Sequence, residues 1–134
     1  IKIQVDYQKK TCRSLRWSIM ELVFDIETDG LNPTVIWCIV AIDEFGDVYK
    51  YYEDTLDEGI KLLQSADKII GHNILGFDIP VIKKLKGVDL YHHDKVVDTL
   101  VLSRLFNPTR EGGHSISKWG YKLGLPKKES PEWT

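Results

Sequence analysis

The chain has 134 residues, of which 43% are apolar and 28% are charged, and its formal net charge is −2. This length and composition are typical of one globular domain with a sizeable core, and they exclude a chain of two domains. No apolar run approaches the roughly 18 residues of a membrane span. Cys12 and Cys38 fit neither a disulfide framework nor a zinc motif, so we expect a reduced, cytoplasmic protein.

Positive charge is concentrated at the N-terminus. Residues 1–19 have a net charge of +4, and the rest of the chain has a net charge of −6. The segment lacks the apolar stretch of a signal peptide. Met20, the only methionine, stands directly before the first predicted strand. Two interpretations stay open: residues 1–19 are a real basic N-terminal extension, or they are translated upstream sequence that the native protein lacks.

Three strands open the rest of the chain. The segment ELVFDIE (21–27) predicts a strand that ends at the turn signal TDG. The β-branched and apolar run VIWCIVAID (35–43) predicts a second strand. The turn EFGD leads to a third, VYKYY (48–52), and the three form an antiparallel meander.

Helices and short strands alternate after the meander. Helical spacing of apolar residues and capping signals predict four helices, at 54–66, 77–87, 98–108 and 114–124, and short apolar runs predict strands at 68–73 and 95–97. Asp54 or Thr55 is the expected cap of the first helix. Pro80 fits the first turn of the second helix, and Gly87 fits its end. This order predicts a single α/β domain with a mixed sheet flanked by helices.

Two acids lie at the end of the first strand. Asp25 and Glu27 are two residues apart, so they point to the same face of the sheet. They lie at the carboxyl end of the strand, where open α/β sheets usually bind ligands. Their charges, about 7 Å apart, repel each other and call for a cation or a basic partner. A strand end that simply reaches water, or a salt-bridged pair, is the alternative.

A third acid, Asp78, follows a strand and a loop in GHNILGFDIP. It could be only a helix N-cap. If the loop brings it beside the first two acids, three carboxylates form an oxygen-ligand cluster suited to Mg²⁺ or Mn²⁺. Asp98 fits a helix N-cap, and we expect His92 and His93 to be exposed loop residues. His114 is either a residue at a helix start or one that binds a phosphate.

The blocks FDIET, HNILGFD, VVDTLVLSRL and GGHSISKWGYKLG, in this order, closely resemble the 3′–5′ proofreading exonuclease domain of family A DNA polymerases. The bacteriophage replicative enzymes are the nearest match, and the likeness runs from Met20 essentially to the end of the chain. These domains are DEDD exonucleases. The resemblance therefore implies the ribonuclease H-like fold, an α/β fold with a mixed sheet.

The resemblance also implies roles for individual residues. Asp25, Glu27 and Asp78 become catalytic residues and three of four acidic metal ligands, for two Mg²⁺ or Mn²⁺ ions that support phosphodiester hydrolysis. The implied nucleic-acid contacts are Thr28, Leu31, His72, Asn73 and Phe77. The implied partners are a single-stranded 3′ end of DNA and a polymerase domain of the same full-length chain, in a bacterial host cell.

One family motif is missing. The family has a fourth aspartate on a later helix, four residues after a tyrosine or five after a histidine. No aspartate follows Asp98 here, and the fourth residue after Tyr121 is Leu125. We therefore expect residues 20–134 to be a partial exonuclease domain that is nearly inactive as this chain. A stand-alone RNA-processing exonuclease and a non-catalytic nucleic-acid-binding module are the alternatives. The net charge of −6 argues against tight non-specific DNA binding.

Overall fold

The computed structural model of the chain describes residues 19–128. These residues form the predicted succession of strands and helices, and element ends differ from the predictions by no more than two residues. The elements are β1 (Glu21–Thr28), β2 (Ile36–Asp43), β3 (Val48–Tyr52), α1 (Leu56–Ser65), β4 (Lys68–Gly71), α2 (Asp78–Lys86), β5 (Val96–Asp98), α3 (Thr99–Phe106) and α4 (Ile116–Lys122). The predicted α/β class is confirmed.

The strands form one mixed sheet in the order β3-β2-β1-β4-β5. β1 pairs antiparallel with β2 on one side and parallel with β4 on the other. The pairing with β4 covers only residues 21–23 of β1. Within residues 19–128, the carboxyl-terminal half of β1 therefore has no strand beside it on the β4 side.

The hydrophobic core lies on one face of this sheet. Residues of β1 alternate strictly, with Leu22, Phe24 and Ile26 buried and the residues between them exposed. Helices α1 and α2 cover this face with their own buried side chains, including Leu63 and Ile82, which are fully buried. Burying a side chain of this size contributes about 1.5–3 kcal/mol. The core therefore fixes which face of β1 turns to solvent.

The ends of α1 and α2 follow local chemistry. Gly87 adopts φ 70° after α2, and its N–H donates to the carbonyl of Lys83, as expected for a glycine that ends a helix. Pro80 lies in the first turn of α2, where its missing N–H costs nothing. Thr55 takes the N-cap position of α1, as predicted, but its hydroxyl makes no cap hydrogen bond and instead accepts from the N–H of Tyr52.

Helices α3 and α4 are joined by a polar cluster. Ser103 accepts a hydrogen bond from Nε1 of Trp119 at 2.8 Å and lies 2.7 Å from Nδ1 of His114. The guanidinium of Arg110 stacks over the Trp119 ring at 4.0 Å from its centroid. Between the two helices lies an open, mainly apolar groove of about 630 Å³.

The interpretations of residues 1–18 and of Cys12 concern a part of the chain that lies outside the described residues. Cys38 is a free thiol in β2. Within residues 19–128, no helix has the length and apolar character needed to cross a membrane.

Candidate active site

Asp25 and Glu27 project from the face of β1 that is opposite the core. Both side chains are exposed, and Ile26 between them is buried. Across the antiparallel pair, Glu27 is in register with Cys38. The pKa of the Cys38 thiol is raised, first by desolvation and then by the negative charges of Glu27 and Asp25. The predicted common face of the two acids is confirmed.

Asp78 reaches the same strand from α2. It is the first residue of that helix, it is 3% exposed, and its Oδ1 accepts a hydrogen bond of 3.1 Å from the N–H of Ile26. That N–H points to the side where β1 has no strand partner, so the carboxylate takes the place of a strand acceptor. The reading of Asp78 as a helix N-cap is therefore wrong, because Phe77 takes that position and Asp78 binds β1.

Burial and mutual repulsion act on these acids. Desolvation, followed by the charge of Asp25, raises the pKa of Asp78 to about 7. Desolvation also raises the pKa of Asp25, against the opposing effects of the Ile26 N–H and of Lys127. Among residues 19–128, no lysine, arginine or histidine forms an ion pair with Asp25, Glu27 or Asp78. The alternative of a salt-bridged pair is therefore not observed, and a divalent cation would relieve the repulsion.

The three carboxylates are not in contact distance of one shared ion. In the described part of the chain, the group whose three ligand atoms all lie within 4.8 Å of one another is His92, His93 and Asp94. These residues are exposed, as predicted for the two histidines, and they lie in the loop before β5. The sequence interpretation did not identify this group, although two adjacent histidines followed by an aspartate are a visible signal.

Asp98 caps α3 as predicted, because its Oδ1 accepts from the N–H groups of Leu100 and Val101. The same carboxylate also accepts from the N–H of Asn73 at 2.9 Å and of Leu75 at 3.0 Å. These two bonds tie α3 to the loop between β4 and α2. The sequence carried no signal for them.

Two residues predicted to contact nucleic acid follow β1 directly. The hydroxyl of Thr28 donates to the carbonyl of Gly30 at 2.9 Å. Leu31 is 95% exposed, in a turn where Asp29 accepts hydrogen bonds from the backbone of Thr34 and from its hydroxyl. Both predicted residues therefore lie beside the carboxyl end of β1 with Asp25, Glu27 and Asp78, which we call the acid edge. The Leu31 side chain is exposed there.

The other three predicted contacts lie in the loop between β4 and α2. Asn73 adopts φ 60°, which is uncommon for a residue other than glycine. Phe77 is half-buried and packs against the core. Nδ1 of His72 lies 2.9 Å from Oγ1 of Thr99, and the imidazole lines the groove between α3 and α4. The structure thus turns His72 toward α3.

His114 is a structural residue. Because Oγ of Ser103 accepts from Trp119, its single hydrogen is available for Nδ1 of His114. Nε2 of His114 lies 3.4 Å from the carbonyl oxygen of Pro108. Ser103 is 7% exposed, and its hydroxyl links α3 to His114 and to Trp119 of α4.

The sequence of this chain is similar to part of two phage DNA polymerases. It is 31% identical over 140 residues to the DNA-directed DNA polymerase of Enterobacteria phage T3, and 29% identical over 137 residues to that of Escherichia phage T7. In both cases 81% of this chain is matched, and the chain spans about 20% of the length of the relative. No protein-family model matches the chain.

Solved structures share the fold. The family B DNA polymerase of the archaeon Pyrobaculum calidifontis matches 82% of this chain and 19% of its own, with a TM-score of 0.62 and 16% identity. Exonuclease I matches 71% of this chain and 32% of its own, with a TM-score of 0.55 and 19% identity. The sequence relatives and the shared fold confirm the resemblance predicted from the motifs: the chain is similar to part of the phage DNA polymerases and has the predicted ribonuclease H-like fold.

Proposed function

We propose that residues 20–134 form part of a 3′–5′ exonuclease domain that removes 3′-terminal nucleotides from single-stranded DNA during proofreading of replication. One observation carries the proposal: the Asp78 carboxylate binds the Ile26 N–H, between Asp25 and Glu27. A third acid is thereby seated at the carboxyl end of the central strand, in a chain related to DNA polymerases.

The donor set fits the divalent metal that this activity requires. Asp25, Glu27 and Asp78 offer only carboxylate oxygens, which are the ligands that Mg²⁺ and Mn²⁺ prefer. Mg²⁺ keeps several of its waters in proteins, so the acids need not all contact one ion directly. When bound, two such ions would activate the attacking water and stabilise the leaving 3′-oxygen.

The remaining residues would orient the DNA end. In the proposed arrangement, Thr28 and Leu31 lie beside the terminal nucleotide, where the exposed Leu31 side chain can pack against a base. Asn73, Phe77 and His72 lie along the departing strand. Stacking and apolar contacts to a few unpaired bases would supply affinity.

The wider setting belongs to the same proposal. A polymerase region of the full-length protein would deliver the frayed 3′ end, and the protein would act in the cytoplasm of a bacterial host. The family pattern includes a fourth aspartate that this chain lacks after Asp98. The chain alone would therefore bind the metal weakly and cleave DNA very slowly, because losing one member of a cooperating catalytic set costs several orders of magnitude in rate.

Mn²⁺ titration followed by electron paramagnetic resonance tests the proposal. Asp25→Asn and Asp78→Asn each remove one proposed ligand charge, and Glu53→Gln removes the same charge from an exposed acid elsewhere. We expect the first two variants to weaken Mn²⁺ binding by about tenfold or more, and Glu53→Gln to leave it unchanged. Equal affinities in all four proteins would contradict the proposed site and favour a non-catalytic nucleic-acid-binding module.

A further inference from the structure

Asp98 connects α3 to the loop that precedes α2. Its side chain is 5% exposed, and its oxygens accept four backbone N–H groups. The bonds from Leu100 and Val101 are an ordinary helix cap. The bonds from Asn73 and Leu75 are not needed to cap a helix. They indicate a second role for this carboxylate.

The loop that Asp98 binds has little room to move. A Cβ atom on Gly71 would lie 2.3 Å from Cγ2 of Ile74 and 3.0 Å from the carbonyl oxygen of Phe24. Ile74 itself is 1% exposed and belongs to the core. The carbonyl of Asn73 accepts from the N–H of Phe77 at 3.0 Å. The path of the loop is therefore set by contacts at both ends, and the Asp98 bonds lie between them.

The loop leads directly into the candidate active site. The N–H of Leu75, bound by Asp98, is three residues before Asp78 in the chain. The carboxylate of Asp78 in turn accepts the N–H of Ile26 in β1. Asp98 is thus connected to the acid edge by its hydrogen bond to Leu75, by the backbone from Leu75 to Asp78, and by the hydrogen bond between Asp78 and Ile26.

We infer that Asp98 is a positioning residue for that site. By binding the N–H groups of Asn73 and Leu75, it places the start of α2 so that Asp78 reaches β1. The expected effect of Asp98 on metal binding rests on the function proposed above. The expected effect of Asp98 on the Asp78–Ile26 hydrogen bond does not depend on that function.

Asp98→Asn tests this inference with a side chain of nearly the same size. An amide has one acceptor oxygen, whereas Oδ1 of Asp98 accepts from Asn73, Leu100 and Val101 and Oδ2 accepts from Leu75. If the amide oxygen keeps the cap, the NH₂ group faces the N–H of Leu75, where two donors cannot bond. We therefore expect the cap to survive and the loop to shift.

Ser103→Ala is the matched control. Ser103 is buried in the same helix, but its hydroxyl contacts His114 and Trp119 and not the loop. The Ser103→Ala variant therefore shows how a general weakening of α3 affects the rest of the molecule. Thermal unfolding of each variant identifies a temperature at which all of them are folded.

The readout is the amide of Ile26 in ¹⁵N-resolved hydrogen exchange, because that amide is bound by Asp78. We expect Asp98→Asn to lower its protection by about tenfold, which corresponds to ~1.4 kcal/mol, with Leu100 still protected. Ser103→Ala should leave Ile26 unchanged. In the same samples, Mn²⁺ affinity should fall by about tenfold in Asp98→Asn alone.

Each outcome separates the two claims. Wild-type protection of Ile26 in Asp98→Asn, or an equal loss in both variants, would overturn the positioning role. If the unmutated chain fails to bind Mn²⁺ while Ile26 still responds to Asp98→Asn alone, the positioning role stands and the proposed function fails.

Discussion

The sheet with α1 and α2 is stabilised differently from the α3–α4 region. The buried hydrophobic residues of the described chain all lie between Leu22 and Leu90. Between residues 99 and 128, Ser103 alone among the described residues is buried, while Leu105 and Phe106 are 72% and 86% exposed. The first region thus has a core of its own, whereas hydrogen bonds and a cation–π contact connect the second.

The two regions also differ in charge. Residues 19–98 have sixteen acidic and seven basic side chains, a net charge of −9, and residues 99–128 have one acidic and six basic side chains, a net charge of +5. Lys127 of the second region lies near enough to oppose the raised pKa of Asp25 in the first. The net charge of −6 for residues 20–134, which argued against a basic surface, conceals this separation. The well-packed region contains the acids of the candidate site, and the α3–α4 region places the positive charge of Lys127 near Asp25.

A matched pair of leucine substitutions should show the largest difference between the regions. Leu63 on α1 is fully buried, and Leu105 on α3 is 72% exposed. We expect Leu63→Ala to lower the free energy of unfolding by about 2–5 kcal/mol, because it leaves a cavity. Leu105→Ala should change it by less than about 0.5 kcal/mol. Urea denaturation measures both changes. Similar losses of unfolding free energy in the two variants would contradict the exposed position of Leu105 and the difference between the regions.

The acid edge should make the packed region less stable as the pH rises. Because folding raises the pKa of Asp78 from 3.8 to about 7, the folded chain binds more protons than the unfolded chain between these values. The contribution of the Asp78 carboxyl to the free energy of unfolding is therefore fully present below pH 3.8. It is lost as the pH rises through 7. Between pH 5 and pH 8 we expect a loss of about 2–3 kcal/mol without metal.

Asp78→Asn provides the control for this pH dependence, because the amide does not titrate. The same denaturation series on that variant should lack the loss assigned to Asp78, while contributions from the other groups remain. A wild-type pH dependence in Asp78→Asn would mean that this carboxyl has an ordinary pKa in the folded chain.

A smaller and local effect should follow from breaking the polar cluster of the second region. Ser103→Ala leaves Nε1 of Trp119 without its acceptor and Nδ1 of His114 without its partner. We expect a loss of about 1–2 kcal/mol. Hydrogen exchange should show the loss in α4 and not in β1. An equal increase in exchange across β1 would mean that the two regions unfold together.

The sequence predicted the packed region better than the links between its parts. Strict alternation around Leu22, Phe24 and Ile26 was enough to place Asp25 and Glu27 on one face. It could not show that β4 pairs only with the start of β1, and that early end of pairing is what leaves the Ile26 N–H free for Asp78.

Contacts between distant residues were missed for the same reason. Ser103, His114 and Trp119 meet only because α3 and α4 fold back on each other, so their spacing along the chain has no periodicity to detect. The second role of Asp98 was hidden behind a helix cap that the sequence predicted well. Local signals identified the elements, while tertiary hydrogen bonds decided where the side chains of the candidate site lie.

Anomalous scattering from crystals grown with Mn²⁺ tests most directly whether Asp25, Glu27 and Asp78 form a divalent-cation site. We predict a Mn²⁺ peak at about 2.1 Å from a carboxylate oxygen of Asp25, with Glu27 or Asp78 as a further ligand. The exposed group of His92, His93 and Asp94, whose ligand atoms lie within 4.8 Å of one another, serves as the internal comparison. A peak only at that group, with none at the acid edge, would contradict the account.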